Sequence, residues 1–124
     1  MVKSEKATEE TPNIVFLQME SFFDVKHLKD VTFSENPVPN FTSMKENYTS
    51  GWLTTPSFGA GTANTEFEVL SGMSLEYFGP GEYPYKTILK ETTCESVAYD
   101  LGDIGYATHA IHNNKATFYS RADV

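Results

Sequence analysis

Three short stretches of this chain carry side chains whose types and spacing suit chemistry on an anionic, oxygen-rich substrate. The first is Glu20, placed directly after the apolar run Asn13-Ile14-Val15-Phe16-Leu17-Gln18-Met19. A carboxylate at the tip of a buried strand can ligate a hard divalent cation, although a Glu there is often only the first solvated residue. The second is Gly59-Ala60-Gly61-Thr62-Ala63-Asn64-Thr65-Glu66-Phe67. Glycines let backbone amides approach an anion, and a helix starting there offers unpaired N–H groups and a positive dipole end. A Thr hydroxyl at that point is a candidate nucleophile, to be weighed against the commoner N-cap Thr after a Gly turn. The third is His112-Asn113-Asn114-Lys115-Ala116-Thr117-Phe118-Tyr119-Ser120-Arg121. Arg grips phosphate with two prongs and His donates to it or shuttles a proton. The plainer reading is a polar loop whose Phe118 and Tyr119 plug the core.

The elements that must position these groups can be read from pattern. Residues 13–19 are apolar almost throughout, with β-branched and aromatic members, as in a strand covered on both faces of a parallel sheet. Residues 106–111 give a second core strand, in which His109 faces away from Ala110 and reads as a packed structural histidine. Residues 48–55, with Trp52 and Leu53, suggest a further strand, and residues 41–47 a short helix. Residues 62–73 form a helix with Ala63, Phe67 and Leu70 on one face. The clearest helix spans residues 93–101, with Thr92 and Glu95 at capping-box spacing and Gly102 at the C-cap. Gly79-Pro80-Gly81 and Pro84 punctuate a loop. Strand, helix and strand in this order favour an α/β class with right-handed crossovers.

Composition narrows the function classes. The 124 residues are 40 % apolar and 14 % aromatic, enough for a core. Asp and Glu number 17 against 9 Lys and Arg, for a net charge of −8, and no basic stripe exists to neutralise nucleic-acid phosphates. The acidity also disfavours electrostatic adhesion to anionic lipid. One cysteine, Cys94, makes neither an internal disulfide nor a cysteine-based zinc site. There is no apolar run near the roughly 20 residues of a membrane span and no signal peptide, so the chain as given is expected to be soluble. Residues 1–12 are charged and small, and read as a linker or terminal tail that stays mobile.

The three stretches, in this order, resemble the lipoteichoic acid synthase and phosphoglycerol transferase family, sulfatase-like members of the alkaline phosphatase superfamily. Residues 13–21 resemble the opening strand and metal-ligand Glu. Gly61-Thr62-Ala63-Asn64-Thr65-Glu66-Phe67 resembles the nucleophile segment, which either lacks the residue usual between Gly and Thr or has Gly in its place; the Glu-Phe pair sets a register that favours Thr62 over Thr65. His112 through Arg121 resembles the glycerophosphate-binding loop, with Asn114 where an Asp is common and Tyr119 where a Trp is common. The resemblance runs from about Pro12 to Val124.

What this resemblance implies is a partial alkaline-phosphatase-like α/β fold, mostly parallel sheet with flanking helices, over residues 13–124: the front, truncated portion of a sulfatase-like catalytic domain. Its Thr62, activated by one Mn²⁺ or Mg²⁺, would attack the phosphorus of phosphatidylglycerol and pass glycerophosphate to an acceptor glycolipid or polymer. Glu20 and Thr62 would be metal ligands, with the remaining ligands, an Asp-His pair and a further His, beyond this chain. His112, Asn114, Tyr119 and Arg121 would surround the head group. Relatives hold this domain on the outer face of the bacterial cell membrane behind transmembrane helices. Alone, these residues are expected to be inactive, to hold metal weakly and to self-associate; tight metal binding would direct attention to Asp24, His27 and His109.

Alternatives within and outside the superfamily differ in their residues. Arylsulfatases need Cys-x-Pro-x-Arg, whereas Cys94 is followed by Glu95-Ser96-Val97-Ala98. Phosphoethanolamine transferases carry a differently worded motif and usually several cysteines. Phosphoglycerol transfer to a periplasmic glucan, another sulfatase-like hydrolase and a non-catalytic binding fragment complete the set.

Overall fold

Hydrophobic periodicity has its clearest outcome in the helix that follows Gly61. The computed structural model describes residues 11–19, 22–57 and 61–123. Within these, α1 spans Pro39–Asn47, α2 spans Thr62–Ser71 and α3 spans Val97–Asp103, joined by short 3₁₀ turns. Ala63 and Phe67 lie one turn apart on α2 and are buried, as the i, i+4 stripe requires. They pack with Tyr85 to form the core, and Leu75, Phe78, Leu89, Cys94 and Tyr119 close around it. Phe78 meets Phe67 edge-on at 5.6 Å. Pro84 is fully buried beside Tyr85, so the loop expected around it is in fact a pair of 3₁₀ turns, Pro84–Lys86 packed on α2 and Ile88–Lys90 packed on the first turn.

Both ends of α2 are set by glycines in the left-handed conformation, Gly61 at φ 87° and Gly72 at φ 70°. Gly72 N–H donates to the Glu68 carbonyl at 2.9 Å, stopping the helix two residues before Met73, where periodicity placed its end. α1 starts two residues before the expected Phe41, because Pro39 fits a first helical turn that needs no N–H.

α3 is displaced from its expected span. Ser96 caps it, accepting from Tyr99 N–H at 3.4 Å, so the Thr92–Glu95 pair does not form a capping box. The stop moves from Gly102 to Gly105. Gly105 takes φ 99° and donates to Gly102 at 2.9 Å, while Tyr106 donates to Leu101 at 3.0 Å, which is a Schellman closure.

The expected strands are absent: among the described residues no segment is a β-strand. Residues 13–19, 48–55 and 106–111 lack regular structure, and the large side chains that were to be covered lie open. Val15 is 83 %, Trp52 87 % and Ile111 97 % exposed. A strand exists only through hydrogen bonds to a neighbour, and no described segment pairs with these three. His109 is likewise exposed rather than packed. The parallel sheet is therefore not seen in the described residues, and the expectations for residues 1–10 and for Glu20 lie outside them.

Candidate active site at the start of α2

Thr62 is the first residue of α2, half-buried, one position after a glycine whose backbone disfavours replacement. The left-handed φ of Gly61 disfavours any side chain, and an added Cβ would lie 2.6 Å from the Tyr83 hydroxyl. The turn is held by Ser57, whose Oγ donates to the Gly61 carbonyl at 2.8 Å and lies 3.0 Å from Thr65 Oγ1. Ser57 has one proton, and the carbonyl takes it, so Thr65 is the donor in the second contact. Thr65 is thus spent on shaping the turn. Gln18 Nε2 donates to the Thr62 carbonyl at 3.1 Å, which brings the end of the first apolar run beside the start of α2.

Tyr83 links this turn to the third stretch. Its ring stacks on Tyr119 with centroids 5.5 Å apart and 26° between planes. Phe118 meets Tyr119 edge-on at 4.6 Å, and His112 stacks on Phe118 at 6.1 Å. His112 Nδ1 accepts from Asn114 N–H at 3.0 Å, so in the neutral imidazole Nε2 carries the proton and is the donor. Asn114 Oδ1 accepts from Lys115 N–H at 2.7 Å. Tyr119 and Ser120 hold left-handed backbone at φ 56° and 60°, a strain of the kind that clusters at functional loops. Beside them opens a cleft of about 460 Å³ lined by Lys86, Asn114, Thr117, Tyr119 and Ser120. Lys86 Nζ sits 4.9 Å above the Tyr83 ring and 5.0 Å above that of Tyr119.

Arg121 turns inward rather than into open solvent. Its Nε and Nη2 donate to the two Glu66 oxygens at 3.1 and 2.6 Å, a two-pronged pair, and its Nη1 donates to the Phe118 carbonyl at 3.0 Å. Glu66 stands one turn along α2 from Thr62. Burial, then the charge of Glu66 and a hydrogen bond to it, push the Tyr85 phenol well above its ordinary range. Glu66 is therefore held from two sides. Sequence reading used Glu66 only to set register, and singled out neither Tyr83 nor Tyr85. Two tyrosines flanking a proline were the available signal, since aromatic rings beside a rigid turn tend to pack.

A divalent ion finds an incomplete donor set here. No group of three or more His, Cys, Asp and Glu among the described residues is arranged to hold a metal. Asn64 donates through Nδ2 to the Glu82 carbonyl at 2.9 Å, and its Oδ1 is buried with no hydrogen-bond partner. One orphaned amide oxygen near Thr62 does not amount to a site. Asp24 is engaged by Lys45 Nζ at 3.2 Å and His27 Nε2 at 3.8 Å. The described residues alone do not fit a bound ion, and no chemical step is routed through one.

A family model described as Sulfatase matches residues 12–124. The chain belongs to the sulfatase family. Sulfatase domains have an alkaline-phosphatase-like α/β fold, and members of their superfamily use divalent metals. The chain is also 31 % identical over 113 residues to a protein of Rhizobium meliloti (strain 1021) whose name assigns it to cyclic beta-1,2-glucan modification. That alignment covers 91 % of this sulfatase-family chain and 17 % of the relative, so the chain spans about a sixth of the relative's length. No solved structure matches. No described helix is long and apolar enough to cross a membrane.

Proposed function

We propose that this chain is part of a phosphoglycerol transferase in which Thr62 is the nucleophile. Thr62 Oγ attacks the phosphorus of a phosphatidylglycerol-type lipid, the bond from phosphorus to the diacylglycerol oxygen breaks, and that oxygen takes a proton. The glycerophosphoryl group, now an ester of Thr62, passes to an acceptor hydroxyl, and Thr62 regains its proton. The observation that carries this reading is the position of Thr62 at the positive end of α2, directly after the left-handed Gly61. His112, with its proton on Nε2, suits donation to a phosphoryl or leaving oxygen, and Asn114, Tyr119 and Arg121 stand in the same loop. A Mn²⁺ or Mg²⁺ bound by Glu20, Thr62 and ligands outside the described residues belongs to this reading, as does a location on the outer face of a bacterial membrane.

Two acceptors are in play: a glycolipid or polymer of the lipoteichoic acid kind, and a periplasmic glucan. The name of the rhizobial relative favours the glucan. In the full-length protein, Thr62→Ala is expected to abolish diacylglycerol release from phosphatidylglycerol vesicles while the near-ultraviolet circular dichroism stays unchanged. Retained release in Thr62→Ala refutes the nucleophile. Supplying labelled donor with either acceptor then tells polymer from glucan by which one takes up label.

A further inference from the structure

A guanidinium offered to a phosphate normally contributes a whole positive charge, and here that charge is already balanced. Glu66 takes two N–H bonds from Arg121 at 3.1 and 2.6 Å, with the Arg and Glu side chains only 17 % and 24 % exposed. Arg121 also lies over the rings of Tyr119 at 5.5 Å, Tyr85 at 5.8 Å and Phe118 at 6.0 Å, so aromatic surface shields the pair from water. The chain brings Glu66 and Arg121 together across 55 positions. We propose that Glu66 determines specificity by neutralising Arg121, so that the site prefers a singly charged phosphodiester to a doubly charged phosphomonoester. The inference rests on Thr62 and the 112–121 loop being the phosphoryl site.

The physics is a difference of one unit charge. Beside an unpaired guanidinium the second charge of a monoester would be attracted. A phosphate seated there lies roughly 6 Å from the Glu66 carboxylate, which at an effective dielectric constant of about 20 weakens that attraction by about a hundredfold. Screening at a partly open rim reduces this to about tenfold. The larger cost of stripping water from a doubly charged ligand then favours the diester. A diester keeps its single charge at every working pH, whereas a monoester gains its second near pH 6. Groups of both signs surround the pair. Tyr85 contacts Glu66 and stays protonated. Lys86 rests on Tyr119, Lys90 pairs with Asp123 at 3.3 Å, Cys94 lies against Tyr85's environment, and His112 stacks on Phe118. The diester curve serves as the control for any change in the protein itself.

The test is binding of glycerol 3-phosphate and of glycerophosphoglycerol to the full-length Thr62→Ala protein, which cannot turn either over. At pH 8 the diester is expected to bind about tenfold more tightly. Glu66→Gln, which keeps the shape but removes the charge and turns one of the two acceptors into a donor, should tighten the monoester more than the diester and shrink that ratio about tenfold. Glu66→Asp should retain the preference. Equal binding of the two ligands at pH 8 overturns the proposal, as does a Glu66→Gln protein that loses affinity for both alike, which is the mark of a structural role only. If Glu66→Gln does not fold, the parent decides: monoester binding should weaken at least about fivefold from pH 5 to pH 8 while diester binding barely changes, and a flat monoester curve overturns it. A protein that keeps the charge preference yet releases no diacylglycerol from lipid sinks the transferase reading and leaves this one standing.

Discussion

Gly61→Ala probes the joint on which the whole site turns. Two separate costs follow from the structure. The backbone at φ 87° and ψ 35° is left-handed, which costs a residue with a Cβ about 1–2 kcal/mol. The new methyl would lie 2.6 Å from the Tyr83 hydroxyl, 3.1 Å from its Cε1 and 3.2 Å from its Cζ. Moving that phenol away loosens its stack on Tyr119 and adds about 1–3 kcal/mol, the usual range for overpacking. The expected loss is therefore about 2–5 kcal/mol, read by urea titration of the full-length protein with an unchanged denaturant slope. Tyr83→Phe separates the two parts. In that background the 2.6 Å contact is gone and the ring contacts remain, so the penalty of Gly61→Ala should fall by about 1 kcal/mol and no further than the backbone strain. An alanine protein as stable as the parent, or a cycle with no coupling between positions 61 and 83, refutes the reasoning.

Three further outcomes are expected. Thr65→Ala should keep full transferase activity and lose about 1 kcal/mol of stability, since it removes only a half-buried hydroxyl bonded to Ser57; loss of turnover with a native fold would move the nucleophile to Thr65. The 124-residue chain by itself should bind Mn²⁺ on the order of millimolar at best, and micromolar binding by calorimetry would mean a donor set the described residues do not show. Burial, helped by the Glu95 charge, pushes the Cys94 thiol above its ordinary range, so iodoacetamide at pH 8 should alkylate it more slowly than a free cysteine and speed up as pH rises. Labelling at the free-thiol rate contradicts the packed environment of Cys94.

What the sequence made legible follows the range of the forces involved. α2 was readable because its stripe, its starting glycine and its nucleophile candidate are all local, and Ala63 and Phe67 are buried where periodicity put them. α3 was found but shifted, because Thr92 and Ser96 both offer capping hydroxyls and only packing chooses between them. The strand expectations at residues 13–19, 48–55 and 106–111 are not confirmed among the described residues, for a different reason. Apolar content says that a segment is suited to burial, whereas strand pairing depends on neighbours that the segment itself does not encode. In the candidate site, Thr62, His112 and Arg121 were visible as chemistry-bearing types. Glu66 was visible only as punctuation, because an acid partner 55 positions from its base leaves no spacing signature.

That separation also sets the order in which the molecule acquires its site. Bringing the ends of a 55-residue loop together costs about 3.5 kcal/mol beyond a constant, while a partly exposed ion pair contributes on the order of 1 kcal/mol. The pair cannot close the loop unaided. The turn at Pro84–Lys86 must first settle on α2, so that Tyr83 and Tyr85 present rings to Tyr119 and Arg121. Recognition is thus assembled last, after the local helix and its aromatic neighbours have formed. Opening of this region should begin at the Phe118–Asp123 turn, and hydrogen exchange there should outpace that of α2.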